Sequence, residues 1–115
     1  MNLLISPTLR ADTAADIRLL LLDSAEQVFT ACHKLSSFSA SDVNIVSTNG
    51  DQTVADLIIN YEGPAIKMNH RMSLRVTFSG TTATDVTLNS DSGFVKPSNE
   101  VLQRCKAIIN RTAAR

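Results

Sequence analysis

From Ile66 to Phe78 the chain reads IKMNHRMSLRVTF, with an apolar side chain at every even position except one. A period of two predicts a β-strand with a dry face and a wet face. The exception is His70, which the pleat turns inward beside Met68, Met72, Leu74 and Val76. A ring buried there without a partner costs about 1–3 kcal/mol, so a hydrogen bond is expected, from Ser24, Gln27 or Thr30, a backbone carbonyl or a water.

Upstream the period changes. Ile17, Leu21, Ala25, Val28, Cys32 and Leu35 recur at steps of four and three, which predicts a long helix from Asp12 or Thr13, either serving as N-cap, to about Leu35. Before it, LLIS and the Ser6-Pro7 turn signal suggest a short edge strand or a packed arm, and residues 1–11 are not assigned further. The serine-rich SSFSASD reads as a loop. Four strand-like segments follow, VNIVS, QTVADLIINYE, AIKMNHRMSLRVTFS and TTATDVTLN. The turn dipeptides Asn49-Gly50, Gly63-Pro64 and Ser79-Gly80 separate them and predict an antiparallel meander. With Gly63-Pro64 as a two-residue loop, Tyr61 faces Ile66, Ile59 faces Met68, Leu57 faces His70 and Ala55 faces Met72. On the other face Asn60 then opposes Lys67 and Asp56 opposes Arg71. A second helix is expected after Pro97, capped by Ser98, with Val101, Leu102, Cys105, Ile108 and Ile109 on its apolar stripe.

The order defines an α+β fold over residues 1–115, read as a single domain: a long N-terminal helix, a four-stranded antiparallel meander and a C-terminal helix, both helices on one sheet face. In architecture alone this resembles the helix-grip lipid carriers, with fewer strands. The resemblance implies an apolar ligand held between sheet and helices.

At 43% hydrophobic and 19% charged residues the chain has the balance of a globular protein that folds without a cofactor. Its longest apolar run, LLLL at 19–22, is far short of a membrane span. MNLLISPTLR carries neither a basic leader nor a long apolar region, so a cytoplasmic address is expected. Net charge is zero, but residues 1–62 hold eight acids and three bases while 63–115 hold three acids and eight bases. The two halves are expected to pair against each other on folding, or to steer a charged partner. Two cysteines at 32 and 105 form no CxxC motif and are expected to be reduced, buried thiols.

Several chemistries can be weighed against these residues. Cys32, Cys105 and His70 all fall on inward stripes, and three such groups are a conceivable zinc or thiol site. Lacking the short paired spacing of metal ligands, they support no metal or catalytic assignment. The four glycines are isolated, so no phosphate loop exists, and DVTLNSDSG lacks the ordered ligands of a calcium loop. Met68, His70 and Met72 are candidates for lining a pocket for an apolar ligand. Lys67, Arg71 and Arg75 share the polar face of the strand, but with no aromatic between them they read as a laced surface rather than a nucleic-acid platform. Leu19 and Leu22 fall off the first helix's stripe, and Val54 and Ile58 fall on the outward face of the sheet. Together with Lys67, Arg71 and Arg75 they are the candidate interaction surface.

The leading expectation is a non-enzymatic protein-interaction module, self-associating as a homo-oligomer or binding a protein partner. The alternative is a carrier or sensor of a small apolar ligand. An enzyme ranks third, and no cofactor is expected.

Overall fold

The computed structural model describes residues 5–64 and 68–115, with side chains described from Thr13 onward. Six elements follow in order: α1 (Ile5–Cys32), β1 (Ser37–Asn49), β2 (Gln52–Glu62), β3 (Asn69–Ser79), β4 (Thr82–Asp91) and α2 (Asn99–Ala113). The strands form one antiparallel sheet in the order β1-β2-β3-β4. α1 packs on β1 and β2, α2 packs on β4, and the helices pack on each other. The α+β order expected from the sequence is the fold.

α1 starts earlier than the cap signals at Asp12 and Thr13 suggest, because Ser6-Pro7 does not break it. Proline in a first turn sacrifices an N–H that has no helical partner anyway, and its fixed φ suits the helix. No edge strand precedes it within the described residues; Leu3 and Leu4 lie outside them. Ile17, Leu21, Ala25 and Val28 are buried as the spacing requires, and Leu20 and Phe29 widen the stripe. Leu35 is a correction: the helix has ended at Cys32, and this side chain is 82% exposed.

SSFSASD is also not a loop. From Ser37 onward it forms the first half of β1, pairing Ser37 with Glu62 and Phe38 with Tyr61. Serine is a weak strand former, but the long partner β2 offers a ladder of backbone groups that β1 satisfies. Register shifts at Phe38/Ala40 and Ile45/Ser47 interrupt its alternation, which hides the strand from a period-two reading.

The β2–β3 hairpin keeps its faces but not its partners. Tyr61 pairs with His70, Ile59 with Met72, Leu57 with Leu74 and Ala55 with Val76. The connection runs from Gly63 to Met68, closed by the Gly63 N–H donating to the Met68 carbonyl at 3.1 Å, instead of turning at Gly63-Pro64. Each partner is displaced by four residues from the expected one. An even displacement preserves the pleat, so Met72, Leu74, Val76 and Phe78 are buried as read. Met68 falls beyond the strand and is 47% exposed. Ile66 and Lys67 lie outside the described residues, so the expected Lys67–Asn60 pairing has no counterpart, and Asn60 pairs with Arg71. Asp56 meets Arg75, not Arg71: Nε and Nη2 of Arg75 donate to the two carboxylate oxygens at 2.9 and 3.0 Å. This fork holds the guanidinium above its ordinary pKa, through the hydrogen bond first and the charge second.

The other two hairpins are tight. Gly50 and Gly80 have φ of 62° and 60°, the left-handed value that the first central residue of a type II′ turn requires. α2 begins at the expected cap, where Ser98 Oγ accepts from the Val101 N–H at 3.3 Å. Its far end is clamped to β4, since Asn110 accepts from the Ala83 N–H at 2.8 Å and donates to the Ala83 carbonyl at 3.0 Å. An edge strand's spare backbone pair is thereby closed by one side chain.

Candidate functional site

At one end of the sheet the core opens into a cavity of about 610 Å³ with mostly apolar walls. Three segment ends enclose it. Cys32 and His33 come from the end of α1, and the turn after it adds Leu35 and Ser36. Tyr61 ends β2, with Gly63, Pro64 and Met68 in the connection beyond, and His70 begins β3. Gly93, Phe94 and Val95 follow β4. Phe94 is 91% exposed and Val95 72%, so with Leu35 and Met68 they form an apolar rim.

Behind this wall, bonded to three of the residues that line it, is the buried Asp91. Its Oδ1 accepts from the Tyr61 hydroxyl at 2.6 Å and from the Gly93 N–H at 2.9 Å, and its Oδ2 lies 2.7 Å from His33 Nε2. Burial pushes the carboxyl up, but the bonds from Tyr61, Gly93 and His33 outweigh it and hold Asp91 below the usual carboxylate range. The carboxylate is therefore an acceptor, and His33 Nε2 is the nitrogen that donates. Burial, then the bond to Asp91, pushes the Tyr61 phenol well above its ordinary value, so it stays a neutral donor. The His33 ring stacks on Tyr61 with centroids 4.5 Å apart and planes 24° from parallel. Lys96 Nζ donates to the Asp91 and Gly93 carbonyls at 2.8 and 3.3 Å, fixing the turn that carries the rim.

His33 Nδ1 has a different fate. Among the described residues no buried side-chain nitrogen or oxygen lacks a partner, and Nδ1 makes none of the described bonds. It is therefore not fully enclosed, and His33 is one of the residues that line the cavity. With Nε2 donating to Asp91, Nδ1 is an acceptor on a neutral ring and a donor on an imidazolium.

The buried histidine is thus His33, not His70. His70 is half-buried at the mouth, where Nδ1 lies 3.4 Å from Ser92 Oγ and the ring packs against Tyr61 and Phe94. The expected helix partners are engaged elsewhere or exposed. Ser24 donates to Leu21 O, Thr30 to Glu26 O, and Gln27 faces outward. Of the pocket candidates, Met68 and His70 line the cavity, whereas Met72 is fully buried in the core beneath it. The cysteines do meet, with sulfurs 3.7 Å apart. Among the described residues no three His, Cys, Asp or Glu side chains are grouped to hold a metal ion.

The candidate interaction residues divide between two places: Val54, Ile58, Arg71 and Arg75 share one face of the β2–β3 pair, and Leu19 and Leu22 lie apart on α1. Leu19, 60% exposed, and Leu22 lie on α1, whereas Val54 and Ile58 are half-buried on the opposite, uncovered face of the sheet. Arg75 is tied to Asp56, Arg71 is exposed, and Lys67 lies outside the described residues. Sequence reasoning missed His33, Asp91 and the Gly93-Phe94-Val95 rim. Of these only His33 carried a signal, its place just past a helix stripe.

Comparison with protein-family models, with curated proteins and with solved structures finds no match to this chain. No helix among the described residues is long and apolar enough to cross a membrane.

Proposed function

We propose that the chain is a binding protein for a small, largely apolar molecule bearing one hydrogen-bonding group, held in the cavity beside His33. The single observation behind this reading is the wall itself. Its volume of about 610 Å³ lies within the range of ligand pockets, and its lining is mostly apolar, with the His33, Tyr61 and His70 side chains among the few that carry polar atoms. Desolvating an apolar ligand here supplies affinity, and the lining imidazoles of His33 and His70 supply orientation. The reading assigns binding, as carrier or sensor, without catalysis.

Native mass spectrometry of freshly purified protein tests it. A retained organic adduct, displaced by a naphthalene-sulfonate fluorophore that binds one per chain, supports the reading. Phe94→Asp and Leu35→Asp place charges on exposed rim positions that the fold does not need, and each is expected to weaken the fluorophore at least about tenfold, equivalent to 1.4 kcal/mol. Equal binding by wild type and both variants would overturn it.

The same rim favours a second reading, a self-associating module. Four large apolar side chains grouped at one end suit burial against another protein surface. A dimer mass that Phe94→Asp abolishes, without any adduct, would select this alternative.

A further inference from the structure

The two cysteines are separated by 73 residues in sequence and belong to helices from opposite ends of the fold. Packing of α1 on α2 sets their sulfurs 3.7 Å apart, in van der Waals contact. Cys105 is fully buried, with its sulfur also 3.8 Å from the Val28 carbonyl oxygen. Cys32 is only half-buried, and it lines the cavity. One sulfur is thus reachable from outside and the other stands directly behind it. That is the geometry of an attacking thiol with its resolving partner.

We propose that Cys32 and Cys105 form a reversible dithiol–disulfide pair, oxidised by a small soluble disulfide that enters through the cavity. Cys32, as thiolate, attacks one sulfur of the reagent; the reagent's S–S bond breaks, a mixed disulfide forms and one thiol leaves with a proton. Cys105, as thiolate, then attacks the Cys32 sulfur, forms the interhelical bond and expels the second thiol. The protein loses two electrons and two protons, and the reagent gains both as two thiols. Either sulfur can donate in the shared S–H···S contact, so a single negative charge on the pair can rest on Cys32 with Cys105 as its donor. Bonding contracts the sulfur separation to about 2.05 Å. The last turn of α1 is thereby drawn toward α2, and with it the cavity wall that carries His33. The pair makes the shape of this wall depend on redox state, whatever the cavity holds.

Oxidised glutathione is the probe, with intact mass and free-thiol counting as the readouts. Wild type is expected to lose both thiols and two hydrogens without keeping glutathione, and dithiothreitol is expected to restore it. Cys105→Ser should stop at one stable glutathione on residue 32, and Cys32→Ser should take none. Urea unfolding of Cys105→Ser and Cys105→Ala identifies whichever folds, so a collapsed variant is not read as a result. A wild type that keeps glutathione, links to a second chain, or retains both thiols under conditions where Cys105→Ser is glutathionylated overturns the proposal. So does a wild type inert to the reagent altogether. None of these outcomes depends on ligand binding in the cavity.

Discussion

Gly93 lies so close to the Tyr61 hydroxyl that a β-carbon on it would overlap that oxygen, and would also sit 3.2 Å from Asp91 Oδ1. Glycine is required here by proximity, since the residue does not have a positive φ. Gly93→Ala is expected to push Tyr61 or the turn outward at a cost of about 1–3 kcal/mol. Urea unfolding checks this as a lower midpoint with unchanged slope. The same variant should bind an apolar fluorophore more weakly, because the rim residues Phe94 and Val95 move with the turn.

Asp91 should set the acid limit of stability. Its folded-state pKa is depressed, so its contribution is complete above the ordinary carboxylate value and is lost as pH falls through the folded value. The loss should set in below about pH 5. Urea midpoints between neutral and strongly acidic pH should fall for wild type, whereas Asp91→Asn should start lower and show a flatter acid limb. A wild-type limb that Asp91→Asn leaves unchanged would assign the acid sensitivity to other carboxyls.

Asn110→Ala removes both partners of Ala83 at the sheet edge. Leaving a part-buried N–H and C=O unmatched is expected to cost about 1–3 kcal/mol. Hydrogen exchange at the Ala83 amide should accelerate well beyond what the global loss of stability explains, because the protection is local.

The oxidised protein should be the more stable form. A bond between Cys32 and Cys105 closes most of the chain into a loop, and the chain-entropy estimate for such a ring is about 4 kcal/mol. Calorimetry with and without dithiothreitol should therefore show a higher Tm for the oxidised state, and Cys105→Ser should show no difference.

The alternation of Met72, Leu74, Val76 and Phe78 was legible in the sequence because the pleat has a fixed period, and the Ser98 cap because one side-chain oxygen answers one orphan amide. The hairpin partners were not. Registers that differ by an even number of residues bury the same side chains, so hydrophobic pattern alone does not separate them. The Gly63-Pro64 dipeptide pointed to a tighter connection than the one formed. The first half of β1 escaped, although VNIVS in its second half was read as strand, because register irregularities and a run of serines erase its period. Met68 and His70 were named as pocket residues and line the cavity, but the hydrogen-bonded cluster beside them escaped for a different reason. His33, Tyr61 and Asp91 come from three segments far apart in sequence, and the charge that joins them has no periodic signature. His70 drew attention by its parity, yet its position at the strand's beginning places it at the mouth rather than in the interior.

The cavity is bounded by the ends of elements, while the strand centres and helix stripes that hold the fold together lie elsewhere. Most side chains that line the cavity are not the ones that resist unfolding. Substitutions at Leu35, Met68, Phe94 and Val95 should therefore reshape the opening of the cavity with little thermodynamic penalty, leaving the scaffold beneath unchanged.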